Sequence, residues 1–226
     1  MSEILLLAAT GLAREVLAMV RSSGQYDVVG LLDDDEEMSG VSVDGATVLG
    51  SIDDATKFTH ALLLVCLGSG KARESVVNRL SALGLSEARY ATAIDPSVRT
   101  PEGCRIGRGS ILLQNVTLTA SVTLGAHVVA MPGVTFTHDD DVADFATFAA
   151  GVSMGGGVRI GRAAYLGMNS SVRERTSVGD YATIGMGAAV LSNVPDGQTW
   201  VGVPAHAIER ENDREMTNGT AFNGTA

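Results

Sequence analysis

Cysteine is nearly absent from this chain. The two that occur, Cys66 and Cys104, are far apart and form no CxxC pair, which argues against both a disulfide framework and a cysteine zinc site. Both read as packing residues, Cys66 in an apolar run and Cys104 in a series of small side chains. A basic stripe is also missing. With 16 Lys and Arg against 26 Asp and Glu, the formal net charge of −10 argues against nucleic acid as a partner, since neutralising phosphates needs clustered cations. The longest apolar stretch, residues 61–67, is far too short to cross a bilayer, so no membrane span is expected. The Met-Ser-Glu start lacks the basic n-region and cleavage site of a signal peptide, and a cytoplasmic location is expected. A dinucleotide fingerprint is missing too. G-x-G-x-x-G wants three glycines, and Ala9-Thr10-Gly11-Leu12-Ala13-Arg14 offers only Gly11, which argues against a redox cofactor.

A six-residue beat fills the second half of the chain. From Ile94 to Val190 every sixth residue is large and apolar except Thr100 and Ala130. Four residues after each, from Val98 to Val194, comes a small or β-branched residue, and Asp140 is the sole departure. A hexad period marks a parallel β-helix, in which each strand pair cannot bury its apolar face alone and stacking neighbours supply the core. The pattern resembles the left-handed form, with three hexads to a triangular coil, so that residues eighteen apart stack at roughly 4.8 Å. Gly107, Gly125, Gly155, Gly161, Gly167, Gly179 and Gly185 follow the large residues and suit tight corners.

The first ninety residues read differently. Residues 3–9 are a short apolar run, expected for a strand covered on both faces, followed by a turn at Thr10-Gly11 and helical spacing over residues 14–20. Further strands are expected at residues 26–32 and 61–67, and a helix over residues 72–83 with Val76, Val77, Leu80 and Leu83 on one face. This is the βαβ pattern of a small parallel sheet. Ligands of such sheets sit at the carboxyl ends of the strands, which here carry Thr10-Gly11, Asp33-Asp34 and Gly68. Amides at the first helix start would favour a phosphate, and a carboxylate ending the second strand would take ribose hydroxyls. The same glycines also serve as plain turn residues, and the aspartates as a solvated strand end. The expected architecture is an α/β N-terminal domain with a Rossmann-like parallel sheet (1–92), a left-handed parallel β-helix (93–208) and a disordered tail (209–226).

His138 is third in the hexad beginning at Phe136 and is therefore expected to point outward. Eighteen residues later stands Gly156, within Gly155-Gly156-Gly157. An imidazole beside a bare backbone amide is what acyl transfer needs: a base of near-neutral pKa and an N–H able to polarise a carbonyl. Asp139 is expected outward, where it would orient the imidazole. Asp140 is expected inward, where an unpaired charge is costly. The competing reading of His138 is an ordinary exposed histidine.

Together, Ala9-Thr10-Gly11, the Gly30-Leu31-Leu32-Asp33-Asp34 strand end, Gly68, His138-Asp139, Gly155-Gly156-Gly157 and Val201-Gly202-Val203-Pro204-Ala205 resemble a known family. It is the hexapeptide-repeat acetyltransferases related to sialic acid O-acetyltransferases and bacterial nucleotide-aminosugar N-acetyltransferases. The resemblance implies a homotrimer with active sites between subunits, acetyl-CoA as co-substrate in a groove between neighbouring helices, no metal, and a nucleotide-sugar acceptor of glycan precursor synthesis. By position it implies Thr10, Gly11, Leu12, Asp33, Asp34 and Gly68 at the nucleotide-sugar, and His138 as general base tuned by Asp139 where relatives carry Glu. Gly156 would face the thioester, and Thr147, Met168 and Met186 would line the CoA groove. The chain departs from the family at Leu12, where relatives read Gly-His-Gly around it, at Thr147 in place of a second histidine, and at His206 in place of a lysine.

Three other readings use the same residues. Sugar O-acetylation of the sialic acid type differs only in the acceptor atom. A trimeric nucleotide-sugar-binding protein without activity would suit Leu12 and Thr147. A zinc-dependent hydratase would need three ligands, and of His127, His138 and His206 the first two fall on different faces.

Overall fold

The computed structural model describes residues 1–208; the tail expected at 209–226 lies outside the described residues. The N-terminal part is built on strands β1 (Ser2–Leu7), β2 (Tyr26–Leu32) and β3 (Leu62–Val65), with helices α1 (Gly11–Ser23) and α2 (Gly70–Ala82). The sheet is parallel in the order β2-β1-β3. Its central strand explains the unbroken apolar run, since alternate residues feed two cores. Ile4 and Leu6 pack with Leu12, Val16 and Leu17 of α1, whereas Leu5 and Leu7 pack with Val76, Val77 and Leu80 of α2. Helix α1 stops at Gly24, whose left-handed φ of 62° lets its N–H close on Val20 O. Helix α2 stops at Ala82, so Leu83, expected on its apolar face, is exposed instead.

Two-residue strands then wind a β-helix of about six turns. Its three sheets carry five, eight and five strands and form the sides of a prism. Arg105–Ile106, Thr123–Leu124, Asp141–Val142, Arg159–Ile160 and Ser177–Val178 make the first sheet. The second begins at Ala93–Ile94 and continues through Thr147–Phe148 and Tyr165–Leu166; the third includes Thr135–Phe136 and Ser153–Met154. Parallel pairing joins residues eighteen apart, as in Thr123↔Asp141↔Arg159↔Ser177. The large and small inward series form one core from Leu112 to Val194, with Phe136 and Phe148 edge-on at 4.9 Å. Above it, Thr199–Val201 pairs antiparallel with His206–Ile208 and covers the last edge of the second sheet.

The glycines that follow the large residues have a different reason from the one expected. None of the seven has a positive φ; a Cβ on Gly155 would stand 2.5 Å from Glu174 N, one on Gly161 2.5 Å from Asp180 N. They are there because the next coil passes too close for a side chain. The left-handed corner residues come two positions later, at sites such as Asn115, His127, Asp139, Phe145 and Gly157.

The N-terminal domain sits on the second sheet and on the edge joining the first sheet to it. Ile111, Leu113 and Val129 close the α1 core, and Phe145 and Ala163 close the α2 core.

Candidate active site

His138, Asp139, Asp140 and Gly156 occupy the edge that joins the third sheet to the first. The His138 ring points outward, with 68% of its side chain exposed, and stacks on the rung above: a Cβ added to Gly156 would overlap Cε1 and Nε2 of the imidazole. Gly157 N–H donates to His138 O at 2.8 Å, which fixes the register of the two turns. The Asp139 carboxylate Oδ2 lies 2.9 Å from His138 Nδ1. A proton held at Nδ1 by that carboxylate leaves the Nε2 lone pair free to act as a base. The Gly156 N–H has no acceptor among the described residues.

Asp140 is fully buried on the inner side of this turn. Its Oδ2 accepts Thr137 N–H at 2.7 Å and its Oδ1 accepts Val158 N–H at 2.9 Å. Burial pushes its carboxyl pKa up to about 6, outweighing the two amides and the nearby His138, which act to lower it.

The strand ends of the N-terminal sheet are fastened to one another. Asp33 Oδ2 accepts Ala9 N–H at 2.6 Å and Oδ1 accepts Asp35 N–H at 2.9 Å, while Thr10 Oγ1 donates to Cys66 O at 2.6 Å. Thr10, Gly11, Asp33 and Gly68 therefore share one end of the sheet. Asp34 is held by Ile52 N–H and Arg79. Leu12 packs its side chain into the α1 core, which leaves only its backbone for a ligand. Just before this loop Ala8 has a φ of 79°, a conformation costly for a side-chain-bearing residue and of the kind that gathers at ligand loops.

Thr147 is a correction. Assigned to a CoA groove by resemblance, it is 1% exposed, and its hydroxyl donates to Gly68 O at 2.8 Å while accepting from Arg73 Nη2 at 3.0 Å. It lies in the joint between the domains because the N-terminal domain covers this part of the second sheet. Sequence reasoning missed Arg73, the organiser of that joint. Its buried guanidinium also donates to the carbonyls of Leu67, Gly68, His127, Phe145 and Ala146. The signal was present, since position 73 continues the stripe of Val76, Val77 and Leu80.

Met168 and Met186 stack on a third location, the edge between the second and third sheets, and Met186 is 78% exposed. His127 is buried on the edge between the first and second sheets, stacked on Phe145 at 5.0 Å and edge-on to Tyr90 at 4.7 Å. Burial holds its pKa down. Among the described residues no three His, Cys, Asp or Glu side chains gather as a metal-ligand group. Within one chain, then, the loops of the N-terminal sheet and His138 lie on opposite sides of the prism.

Comparison with known proteins agrees with this anatomy. Residues 3–80 match the PglD N-terminal domain. Over 147 residues, 63% of this chain and 70% of the relative, the sequence is 26% identical to galactoside O-acetyltransferase of Escherichia coli K12. The acetyltransferase domain of PglB from Neisseria gonorrhoeae, solved with acetyl coenzyme A, superposes with a TM-score of 0.84 at 26% identity, covering 92% of this chain and 99% of that one. PerB from Caulobacter crescentus, solved with CoA and GDP-perosamine, shares the fold with a TM-score of 0.84 at 23% identity, covering 92% and 98%. These findings define a left-handed β-helix acyltransferase behind a small parallel-sheet domain. Along most of its length the chain is similar to acetyltransferases of this build.

Proposed function

We propose that this acetyltransferase moves the acetyl group of acetyl-CoA to the amino group of a nucleotide-linked sugar, with His138 as general base. The observation that carries the reading is the outward imidazole stacked on Gly156, beside an amide with no acceptor. Nε2 of His138 takes a proton as the sugar nitrogen attacks the thioester carbon. The carbonyl π electrons move to oxygen, where the Gly156 N–H donates to the developing charge. Collapse re-forms the carbonyl, breaks the C–S bond and releases CoA thiolate, which recovers the proton from the imidazolium. Asp139 orients the ring and balances its positive charge.

The acceptor is assigned to the end of the N-terminal sheet, where Thr10, Gly11, Leu12, Gly68 and the Asp33-Asp34 turn meet. The solved PglB and PerB relatives, with bound acetyl coenzyme A in the first and GDP-perosamine in the second, support these two ligand classes. Because His138 and those loops lie on opposite sides of one prism, the site is completed between copies, and a homotrimer is the assembly we propose. Met168 and Met186 of a neighbouring copy would then border the groove opened by His138. No described helix is long and apolar enough to cross a membrane, which suits the proposed cytoplasmic location.

O-acetylation is the second reading, favoured by the galactoside O-acetyltransferase relative. Mass spectrometry after incubation of acetyl-CoA with UDP-, dTDP- and GDP-aminosugars tests both readings. An acetylated product stable to mild base supports the amide, and a base-labile one supports the ester. Binding of a nucleotide-sugar without any product would mark a binding protein. A folded His138→Ala variant is expected to lose at least about a hundredfold in turnover, and near-normal turnover would refute the base assignment.

A further inference from the structure

The β-helix follows a regular bonding rule, and it breaks at the candidate site. Between Gly107 and Arg173 the residue after each member of the large inward series donates its N–H to the carbonyl seventeen residues on, as in Thr119 to Phe136 O, Met131 to Phe148 O and Gly155 to Val172 O. Thr137 does not. Its N–H turns to Asp140 Oδ2, and the Met154 carbonyl it abandons is taken up by the Thr137 hydroxyl at 3.0 Å. The pairing of Phe136 with Met154 is correspondingly lost, although Thr135↔Ser153 remains.

The turn above is altered by the same carboxylate. At several turns the fourth residue closes on the first, as Val134 does on Met131 O and Val152 on Ala149 O, although Val122, Ala146 and Thr176 make no such bond. Val158 N–H goes to Asp140 Oδ1 instead. One side chain thus holds an amide on either rung: Thr137, adjacent to His138, and Val158, two residues beyond Gly156.

We propose that Asp140 is a positioning residue for acyl transfer, its carboxylate clamping the turn that carries His138 to the turn that carries Gly156. The inference rests on the reading of His138 and Gly156 as the reacting pair. Folding alone does not call for a carboxylate here. At the equivalent inward position Ser110 takes Val128 N–H at 3.1 Å and donates to Gly125 O at 3.1 Å, without a charge. The inward positions Val122, Val134 and Val152 are apolar. A buried carboxylate is costly in such a core, and its raised pKa records that cost. What it supplies is a separation of the two rungs at Thr137 set by a carboxylate and a hydroxyl, beside the direct bonds from Gly157 N–H to His138 O and from Asp141 N–H to Val158 O. Since the imidazole rests on Gly156, that separation places Nε2 relative to the Gly156 N–H.

The test compares Asp140→Ser, which keeps an acceptor for Val158 as Ser110 does for Val128, and Asp140→Val, which restores the apolar pattern, with His138→Ala in parallel. Both Asp140 variants are expected to fold, with kcat reduced at least about tenfold and KM for acetyl-CoA within about threefold of wild type, since small misplacements of reacting groups cost rate. A folded variant with kcat within about threefold of wild type, or a loss carried by KM alone, overturns the proposal. So does failure of both variants to fold, which would make Asp140 a folding residue only. If His138→Ala keeps near-normal turnover, the base assignment itself fails. If His138→Ala is inactive while the Asp140 variants are not, only the positioning role is lost.

Discussion

His138 and Thr147 are nine residues apart in sequence and on opposite sides of the prism. One tops the edge between the third and first sheets; the other lies on the face of the second sheet, bonded to Gly68 of the N-terminal domain. A site needing both His138 and the loops around Gly68 therefore takes one half from each of two copies. Complementation follows. Gly11 has open space where a Cβ would go, so Gly11→Trp is expected to block the acceptor loop without unfolding the chain. It should be inactive alone, as should His138→Ala. Co-expressed at equal levels, the two should recover about a quarter of wild-type sites in randomly mixed closed oligomers. No recovery in mixed oligomers confirmed by native mass spectrometry would place both halves of the site in one copy.

Gly156→Ala probes the stack directly. Gly156 does not have a positive φ, so the backbone accepts alanine, but the new methyl must displace the imidazole. Turnover is expected to fall about 10–100-fold with the melting temperature nearly unchanged. Unchanged turnover in a folded variant would show that the ring position does not matter.

Arg73→Met is expected to destabilise by about 3–5 kcal/mol in urea unfolding. It strands the carbonyls of His127 and Phe145, whose only donor is this buried guanidinium, and leaves Ala146 O with Val129 N–H alone. Arg73→Lys should rescue little, because a single ammonium cannot span six acceptors. A loss below about 1 kcal/mol for Arg73→Met would mean that the joint is held by its other contacts, apolar and polar, such as Thr147 to Gly68 O.

Asp140 predicts a pH dependence of stability. Its folded pKa of about 6 lies above the unfolded carboxylate value, so between pH 4 and 6 the native state holds a proton that the unfolded chain has released. Its contribution is fully present below pH 4 and is lost as pH rises through 6, by roughly 2–3 kcal/mol. Asp140→Val should therefore be more stable relative to wild type at pH 8 than at pH 4 by about that amount. Equal differences at the two pH values would show that the native and unfolded states hold the same number of protons at this residue.

The prism was legible because a hexad repeat leaves little choice. Alternation of large and small inward residues fixes which side chains face the core, and the coil length fixes which residues stack. Outward His138, inward Asp140 and the stacking on Gly156 all follow from counting along the chain. The partners of Asp140 were not legible. They depend on a local break in the ladder at Thr137, for which the repeat gives no sign. The glycines after the large residues were read as corners, although the close approach of the next coil is what requires them.

What the sequence determined by itself is the order along each coil: a covalent period of eighteen settles direction and neighbour before any domain docks. What the tertiary structure alone decided is which side of the prism the first domain covers. That depends on apolar surface shared between segments far apart in the chain, with Phe145 and Ala163 packing against α2 and Ile111 and Val129 against α1. The docking buried Thr147 in the joint and put the proposed acceptor loops opposite His138, because surface fit between distant segments leaves no periodic mark in the chain.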